Sequence, residues 1–370
     1  MRFIKALAIF LGTIIGVGIF GLPFVAYKAG FFIVALYFIL MVSIVIWINL
    51  IYAEVVLASK KVRRFPGYVG EYLGEKWKKI SFIVIAVGLI GALLAYLIVG
   101  GEFLSSFLSP YLGGTPLLYT LLFFILGAYL ISKGVKSISG VEIFLLSVLL
   151  IILAAFFIKT FPFIDFNKFD DIHLDSLFFP HGVVLFSLWG TALIPEMKEI
   201  VKGSRPVLRK VIISGLIITS LIYLLFIFIV LGASKPIVSE EAISGLSRAI
   251  GGDIIKLGFI FGVITCFTSF IALGLTFKKI LWHDFGFSEH IAWALACFLP
   301  LGLFLLGLRE FIKIISFTGS IALGIEGMII VLLYQRFLKK KFARSLNPVF
   351  YFLIGVFVLG IALEFFYFFW

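Results

Sequence analysis

The sequence predicts an all-α polytopic membrane protein of eleven transmembrane helices, on three observations. Hydrophobic residues fill 62% of the 370 positions and charged residues only 14%. With a mean hydropathy of +1.22, that is more apolar surface than a water-soluble core needs. The apolar residues gather into eleven runs, each near the roughly 20 residues that a bilayer crossing requires. The basic residues fall between those runs in a sided pattern.

Taken in order, the runs lie at 4–28, 31–58, 80–108, 116–131, 137–158, 179–200, 211–232, 254–280, 290–307, 311–335 and 348–370. The opening MRFIKALAIF has the charge and apolarity of a secretion signal. No small-residue cleavage site follows, however, and the run continues past Pro23, so it reads as a retained first span. With the N-terminus cytoplasmic, Lys28, Lys159, Lys168, Lys235, Arg248, Lys256, Arg309 and Lys313 are outside, which leaves 23 of the 31 Lys and Arg inside. Eleven alternating spans thus obey the positive-inside rule and put the C-terminus on the extracytoplasmic side of a plasma membrane. The net charge of +12 is accounted for by topology, and a nucleic-acid partner is not expected.

The first five spans start at 4, 31, 80, 116 and 137 and the next five at 179, 211, 254, 290 and 311, an offset of about 175. A repeat with an odd number of crossings re-enters the membrane from the opposite side, so the two units are inverted. The expected organisation is a first five-helix unit at 1–158, a second at 159–346, and an extra C-terminal helix at 347–370.

Spans 1 and 6, which correspond in the repeat, are both unusual. Span 1 carries GTIIGVGIFGLP at 12–23 and span 6 carries LFSLWGTALIPE at 185–196. Glycine loosens a helix and proline removes a donor, and freed backbone groups in a bilayer cost several kcal/mol each unless something satisfies them. Interrupted helices at matching places in two halves point to a transport site. N–H groups at the start of a second half-helix suit an anion such as a carboxylate, and carbonyls at the end of a first half-helix suit a cation. Gly12 and Gly16 alone also form a GxxxG, a close-packing motif.

GTIIGVGIFGLP resembles the first-helix signature of the amino acid–polyamine–organocation transporters. GALLAYLIVGGEFL at 91–104 and FSLWGTALIPEM at 186–197 resemble the amino acid/auxin permease branch and the related aromatic amino acid permeases. The resemblance spans nearly the whole chain. It implies a leucine-transporter-like fold and uptake of amino acids with sodium or protons by alternating access. It also implies that the substrate carboxylate meets the backbone at Ile15, Gly16, Val17 and Gly18. The amino group would meet carbonyls near Gly12 and Thr13 and around Phe186, Ser187, Trp189 and Gly190. Tyr96 would line the pocket, Gly100 would leave room, and Phe20, Phe186 and Trp189 would be walls or gates.

In the same register TCFTSF at 265–270 matches a cation site bridging helices 1 and 8, with Thr268, Ser269 and carbonyls of Gly12, Ile15 and Thr265 as ligands. The alternative is that these hydroxyls bond their own helix. Some proton-coupled relatives place a helix-5 lysine at this point. Helix 5 here has none before Lys159, which favours sodium over a proton.

Carboxylates within spans are costly, about 2.5–3.5 kcal/mol at mid-membrane on insertion scales, so each is a functional candidate. Glu326 is the deepest and the first choice for a protonatable or gating role, the alternative being a structural pair with a buried hydroxyl or basic partner. Glu102 lies near the outer end of helix 3. Glu196 is placed to order an inner gate with a basic residue such as Lys5, and Glu364 lies outside the repeat and reads as peripheral. The four histidines and two cysteines have no metal-site or disulfide spacing. An outer amphipathic helix at 239–252, with Ser239 as N-cap, and an inner interfacial element at 66–77 complete the reading.

The sequence therefore predicts a secondary active amino acid transporter, a symporter of neutral or aromatic amino acids. Its partners are the substrate and the lipid bilayer; a protein partner and a cofactor are not expected, and the coupling ion is sodium or a proton. No GxxxxGK[ST] motif or catalytic constellation points to an enzyme. An exchanger, a polyamine or organic cation carrier, and a non-transporting sensor are the alternatives.

Overall fold

The computed structural model describes residues 2–59, 61, 63–134, 139–234, 238–250, 253–343 and 348–369. Those residues form helices joined by short turns, with no strand among them. The first apolar run becomes two helices, α1 (Arg2–Ile14) and α2 (Gly18–Ala29), bent by 56° at the break between them. Then follow α3 (Phe31–Ala58), the short α4 (Phe65–Leu73), α5 (Glu75–Leu112), α6 (Pro116–Lys133) and α7 (Ser139–Thr160). The second half opens with α8 (Pro180–Leu188) and α9 (Ile194–Ile200), separated by a 3-10 turn at Thr191–Leu193. It continues with α10 (Arg205–Ala233), the short α11 (Ile243–Ile250), α12 (Asp253–Lys279), α13 (Glu289–Leu305), α14 (Phe311–Phe317), α15 (Gly324–Phe342) and α16 (Val349–Phe369). A π-helical segment at Thr318–Leu323 joins α14 to α15.

Helix thus occupies each of the eleven apolar runs. Among the described residues, six stretches are long and apolar enough to cross a membrane: α3, α5, α6, α10, Ile255–Asp284 and Phe311–Phe342. The bent α1–α2 pair makes a seventh. The apolar helices at Ser147–Phe163, Glu289–Leu305 and Phe350–Phe366 are shorter, and the two pieces of span 6 are shorter still.

Local chemistry sets several boundaries. Gly30 and Gly74, with φ of +103° and +93°, turn the chain between α2 and α3 and between α4 and α5, a backbone region open to glycine. Gly74 splits the inner element expected at 66–77 into α4 and the first turn of α5. The outer helix also differs from expectation. It starts at Ile243, because the chain turns through Ala242 at φ +66°. Ser239 is therefore not its N-cap; the Ser239 Oγ accepts from Gly245 N at 2.8 Å and Glu241 Oε1 from Ser244 N at 3.1 Å. The end of that element at 251–252 and the start of the fifth run at 137–138 lie outside the described residues.

The interior is packed by small residues set against rings. The α5–α12 pair is the largest contact of the bundle, with the bare face of Gly262 against the Phe103 ring. Gly127 likewise faces Phe270, 2.8 Å from where a Cβ would stand. Span 6 is held by α14 and the π segment, where Gly182 and Gly319 bring two backbones together and a Cβ on Gly319 would lie 3.0 Å from Phe186 N. This tight seat fixes α8 and so fixes where its broken end points.

Candidate functional site

In the first break the helix ladder stops at Ile15, whose N–H still reaches Leu11 O at 2.8 Å. Gly16 N then folds back to Ile14 O at 2.8 Å, and α2 restarts with Phe20 N to Val17 O at 3.1 Å. Val17 N–H has left the ladder on the side of the Tyr96 hydroxyl, which has Ser269 as a neighbour. Tyr96 sits so close to Gly16 that a Cβ there would overlap its hydroxyl and stand 3.0 Å from its Cζ. Gly18 faces the other break, with Ser187 Cα 2.9 Å from the place of its missing Cβ.

In the second break Trp189 is extended, with ψ 124°, and its N–H bonds Phe186 O at 3.3 Å. Leu193 N bonds Gly190 O at 3.2 Å as the helix restarts. Glu326, in the first turn of α15 and only 3% exposed, closes this break from the side. Its Oε1 accepts from Thr191 Oγ1 at 2.6 Å and its Oε2 from Trp189 Nε1 at 3.1 Å. The carboxyl group expected to gate or to carry a proton thus sits on the broken helix itself.

A cavity of about 330 Å³ joins the two breaks. Thr13, Ile14, Gly18, Tyr96, Phe186, Ser187, Trp189, Gly190, Thr191 and Glu326 line its upper part. It continues past Leu89, Ala92, Ala272 and Thr276 to Gly134, Glu196, Ile200 and Lys279, where α6, α9 and α12 end. At the opposite end Phe20 packs edge-on against Phe103 at 4.8 Å and Phe226 at 6.2 Å, and Phe103 meets Phe259 at 5.9 Å. Phe20 and Phe103 are buried, and none of these four rings is among the residues that line the cavity.

Several expected site residues sit elsewhere. The bare face of Gly100 packs on the Phe123 ring, 2.5 Å from Cζ for an added Cβ, and does not open the cavity. Ile15, Gly16, Val17 and Phe20 are buried and are not among the residues that line the cavity. The cation cage is not assembled. Thr268 Oγ1 bonds its own helix at Ile264 O (3.1 Å) and Thr265 O (3.2 Å), while Ser269 is engaged by Tyr96. The Thr265 hydroxyl is buried without a hydrogen-bond partner. Gly12 belongs to α1, whose main neighbours are α10 and α7.

Among the acids, Glu196 pairs with Arg64 at 2.8 Å and not with Lys5. Arg64 precedes α4, in a loop whose reach the sequence pattern did not reveal. Beside this pair Lys198 Nζ bonds Val56 O at 2.9 Å and Ser59 O at 2.7 Å, capping the last carbonyls of α3. Glu102 is exposed in the C-terminal half of α5, near Glu240 and Glu241, and does not line the cavity. Burial pushes the Glu240 carboxyl above its ordinary range. Glu364 is not peripheral: it is buried and accepts from Ser316 and Ser320, each at 2.9 Å, beside the π segment.

Sequence reasoning missed Tyr223. From the middle of α10 its buried hydroxyl lies 2.9 Å from Ile14 O and 3.1 Å from Ser187 O. It touches the end of the first half-helix at both breaks. A lone tyrosine in an apolar run is a weak signal beside the glycines of the breaks.

The sequence model of the tryptophan/tyrosine permease family matches residues 1–367. No curated protein matches the sequence. Among solved structures the fold is similar to that of MhsT in complex with L-phenylalanine. The TM-score is 0.69 and the identity 16%, over 98% of this chain and 97% of that one. It is also similar to Mhp1, a nucleobase-cation-symport-1 family transporter in a closed conformation with bromovinylhydantoin bound. There the TM-score is 0.70 and the identity 13%, over 94% of this chain and 80% of that one.

Proposed function

The chain belongs to the tryptophan/tyrosine permease family, and from that premise we propose a cation-coupled symporter that binds an aromatic amino acid between its two broken helices. The family makes it a secondary amino acid transporter of the membrane and not an enzyme. The finer reading rests on one observation. The start of α2 turns its N–H end toward the cavity at Gly18, beside Tyr96, and the basic side chain among the lining residues, Lys279, lies far from it at the end of α12. A zwitterion's carboxylate suits that end, where N–H groups and the helix dipole both favour negative charge. Its ammonium suits the carbonyl end of α1 and the Glu326 side of the cavity, and its ring the faces of Phe186 and Trp189. That MhsT holds L-phenylalanine in the same fold supports an aromatic side chain there.

In this reading all eleven runs cross the plasma membrane, as a five-plus-five inverted repeat and one extra helix. The N-terminus is cytoplasmic, by the positive-inside count. Residues 15–17 moved by the offset of about 175 fall at 190–192, within the second break, which supports the repeat. The cavity then opens to the cytoplasm and the molecule is inward-facing. The coupling ion is sodium, held by Thr265, Thr268 and Ser269 once they turn from their present partners, or a proton carried by Glu326.

The test is a thermal-shift screen of the twenty amino acids with and without sodium, followed by uptake into proteoliposomes. Stabilisation by tryptophan, tyrosine or phenylalanine and uptake driven by a sodium or proton gradient support the proposal. Uptake only against internal substrate makes the protein an exchanger, and binding without uptake a sensor. Stabilisation by none of the twenty overturns the site.

A further inference from the structure

Four polar side chains lie buried where α8, α16 and the junction of α14 with the π segment meet, and none of them lines the cavity. Glu364 Oε2 is 2.9 Å from both the Ser316 and the Ser320 hydroxyl. Those hydroxyls flank the bare face of Gly182, at 2.7 and 2.5 Å from where its Cβ would stand. Next to Gly182, His181 is only 5% exposed, and its Nε2 has no hydrogen-bond partner. The imidazole lies against the bare face of Gly360, with Cε1 2.5 Å from the place of an added Cβ. Gly360 is one turn before Glu364 on the same face of α16. Side chains of a helix lean toward its N-terminus, so the carboxyl group leans toward the imidazole.

Among the described residues Glu364 has no ion pair; its partners are the two serines. A carboxylate without a positive partner is costly at membrane depth. The titratable group that faces the cluster from α8 is His181. Glu326 of α15 is turned to Trp189 and Thr191, and Glu310 and Lys313 pair with each other at the exposed start of α14. From α3, Tyr37 stands edge-on to His181 at 6.3 Å. A serine hydroxyl donates or accepts as needed, so Ser316 and Ser320 can serve the carboxyl group with its proton or without it. The Glu326 site lacks that freedom, because the Trp189 indole only donates. His181 Nε2 adds a ring nitrogen that carries a proton in one tautomer and lacks it in the other.

We propose that Glu364, with Ser316, Ser320 and His181, forms a second titrating site, which binds one proton and through it sets the seat of span 6. The hydroxyls that answer to the proton are the ones packed on Gly182, and α8 runs from there to Phe186 at the cavity. A turn of those hydroxyls therefore changes the contact that holds α8. A proton that favours one seat of α8 over another makes amino acid exchange depend on pH, by linkage. By the topology proposed above the cluster lies toward the outer end of span 6, so the proton comes from the extracytoplasmic side.

The readout is amino acid exchange, so the inference rests on the function proposed above. Counterflow of labelled tryptophan, tyrosine and phenylalanine is measured in proteoliposomes of the full-length protein. The pH is varied but kept equal on both sides, so that no proton gradient drives the flux. In the unaltered protein the rate is expected to follow a single-proton titration, changing by up to about 10-fold per pH unit on its flank. Glu364→Gln, a neutral isostere, should exchange at a rate that no longer follows that titration. His181→Gln should keep the titration with its midpoint moved. Ser316→Ala combined with Ser320→Ala should move the midpoint about one unit to alkaline pH, because hydroxyl donors favour the ionised carboxyl group and their loss favours the protonated one.

A pH profile that survives Glu364→Gln overturns the proposal, as does a titration that disappears with His181→Gln. Exchange by the unaltered protein that is independent of pH also overturns it and leaves the transport reading standing. If Glu364→Gln does not fold, the double serine variant decides: an alkaline shift supports the proposal and an unmoved midpoint overturns it. Failure of both to fold makes the cluster a structural joint and overturns it too. An unaltered protein that binds none of the three amino acids instead defeats the function proposed above.

Discussion

The breaks in spans 1 and 6 occupy matching places in the chain, yet their electrostatics differ. At the second break the protein supplies its own carboxyl group. Both Glu326 oxygens accept hydrogen bonds, from Thr191 and from Trp189, as the span resumes. At the first break the released Val17 N–H has no charged side chain beside it, only the neighbouring hydroxyl of Tyr96 among the groups that line the cavity. A phenol is a neutral and replaceable acceptor, whereas a buried carboxyl group held by two hydrogen bonds is a fixed one. The difference teaches which break is structural and which is left for the ligand. Span 6 is closed internally, and span 1 keeps an opening that a substrate's carboxylate can complete.

The comparison is broken most severely by removing the internal carboxyl group. Glu326→Ala leaves the Trp189 indole N–H and the Thr191 hydroxyl without their acceptor beside a loosened helix. The loss is about 3 kcal/mol, or roughly 100-fold in transport, since bonds to charged groups contribute about 1.5–3 kcal/mol and orphaned donors add to the cost. Initial uptake rates in proteoliposomes at matched protein density measure it. Uptake within a few-fold of the original would mean that the second break does not need its carboxyl group, and the asymmetry would fail. Glu326→Gln sharpens the test, because it keeps an acceptor but places a donor NH₂ opposite the donors Thr191 or Trp189.

The interruptions themselves were legible in the sequence because they are written locally. Glycines 12, 16 and 18, and Gly190 before Pro195, weaken a helix wherever it lies, and Gly16 and Gly190 stand about one offset of 175 apart. The side chains that serve the interruptions were not legible to the same degree. Glu326 stood out as a costly buried acid, but its partners lie 135 and 137 positions away. Tyr223 reaches over 209 residues to Ile14, and only tertiary packing fixes such pairs. Gly100 misled for a related reason. A glycine in a helix marks a close approach without saying to what, and here it admits a Phe123 ring and not a ligand. The resemblance to sodium-coupled transporters marked the hydroxyls on α12 as candidate ligands, but the direction in which a threonine points depends on its rotamer, and Thr268 turns to its own backbone.

A smaller effect tests the open side of the comparison. At Gly16 an added methyl group collides with the Tyr96 hydroxyl. Gly16→Ala is therefore expected to cost about 1–3 kcal/mol of stability by overpacking, read as a lower thermal midpoint. Removing the hydroxyl should relieve most of it, because the next atoms are Cζ at 3.0 Å and Cε1 at 3.2 Å, distances a small ring shift can absorb. In the cycle of Gly16→Ala, Tyr96→Phe and the double variant, the two substitutions should be strongly non-additive in stability. Additive stability changes would show that Tyr96 does not occupy the first break as described.

The smallest expected effect lies at the mouth of the cavity, where Arg64 and Glu196 pair at 2.8 Å with side chains 21% and 38% exposed. A partly exposed ion pair is screened by water and salt, so its coupling energy should be about 1 kcal/mol or less, and smaller at high ionic strength. Glu196 is on α9, directly beyond the second break, and Arg64 lies at the start of α4. The pair thus ties the internally closed half of span 6 to the rim, while the α1 side of the mouth is not held by it. A double-mutant cycle of Arg64→Ala and Glu196→Ala, followed by the substrate concentration for half-maximal efflux, isolates the coupling. If the break that leads into α9 is as firmly set by Glu326 as the bonds from Trp189 and Thr191 imply, severing the outer tie shifts that concentration only a few-fold. The same cycle repeated on Glu326→Gln should then show a larger coupling, because α9 would have lost its inner restraint. Equal couplings in the two backgrounds would mean that the break and the rim are held independently, and that Glu326 acts on the substrate site alone.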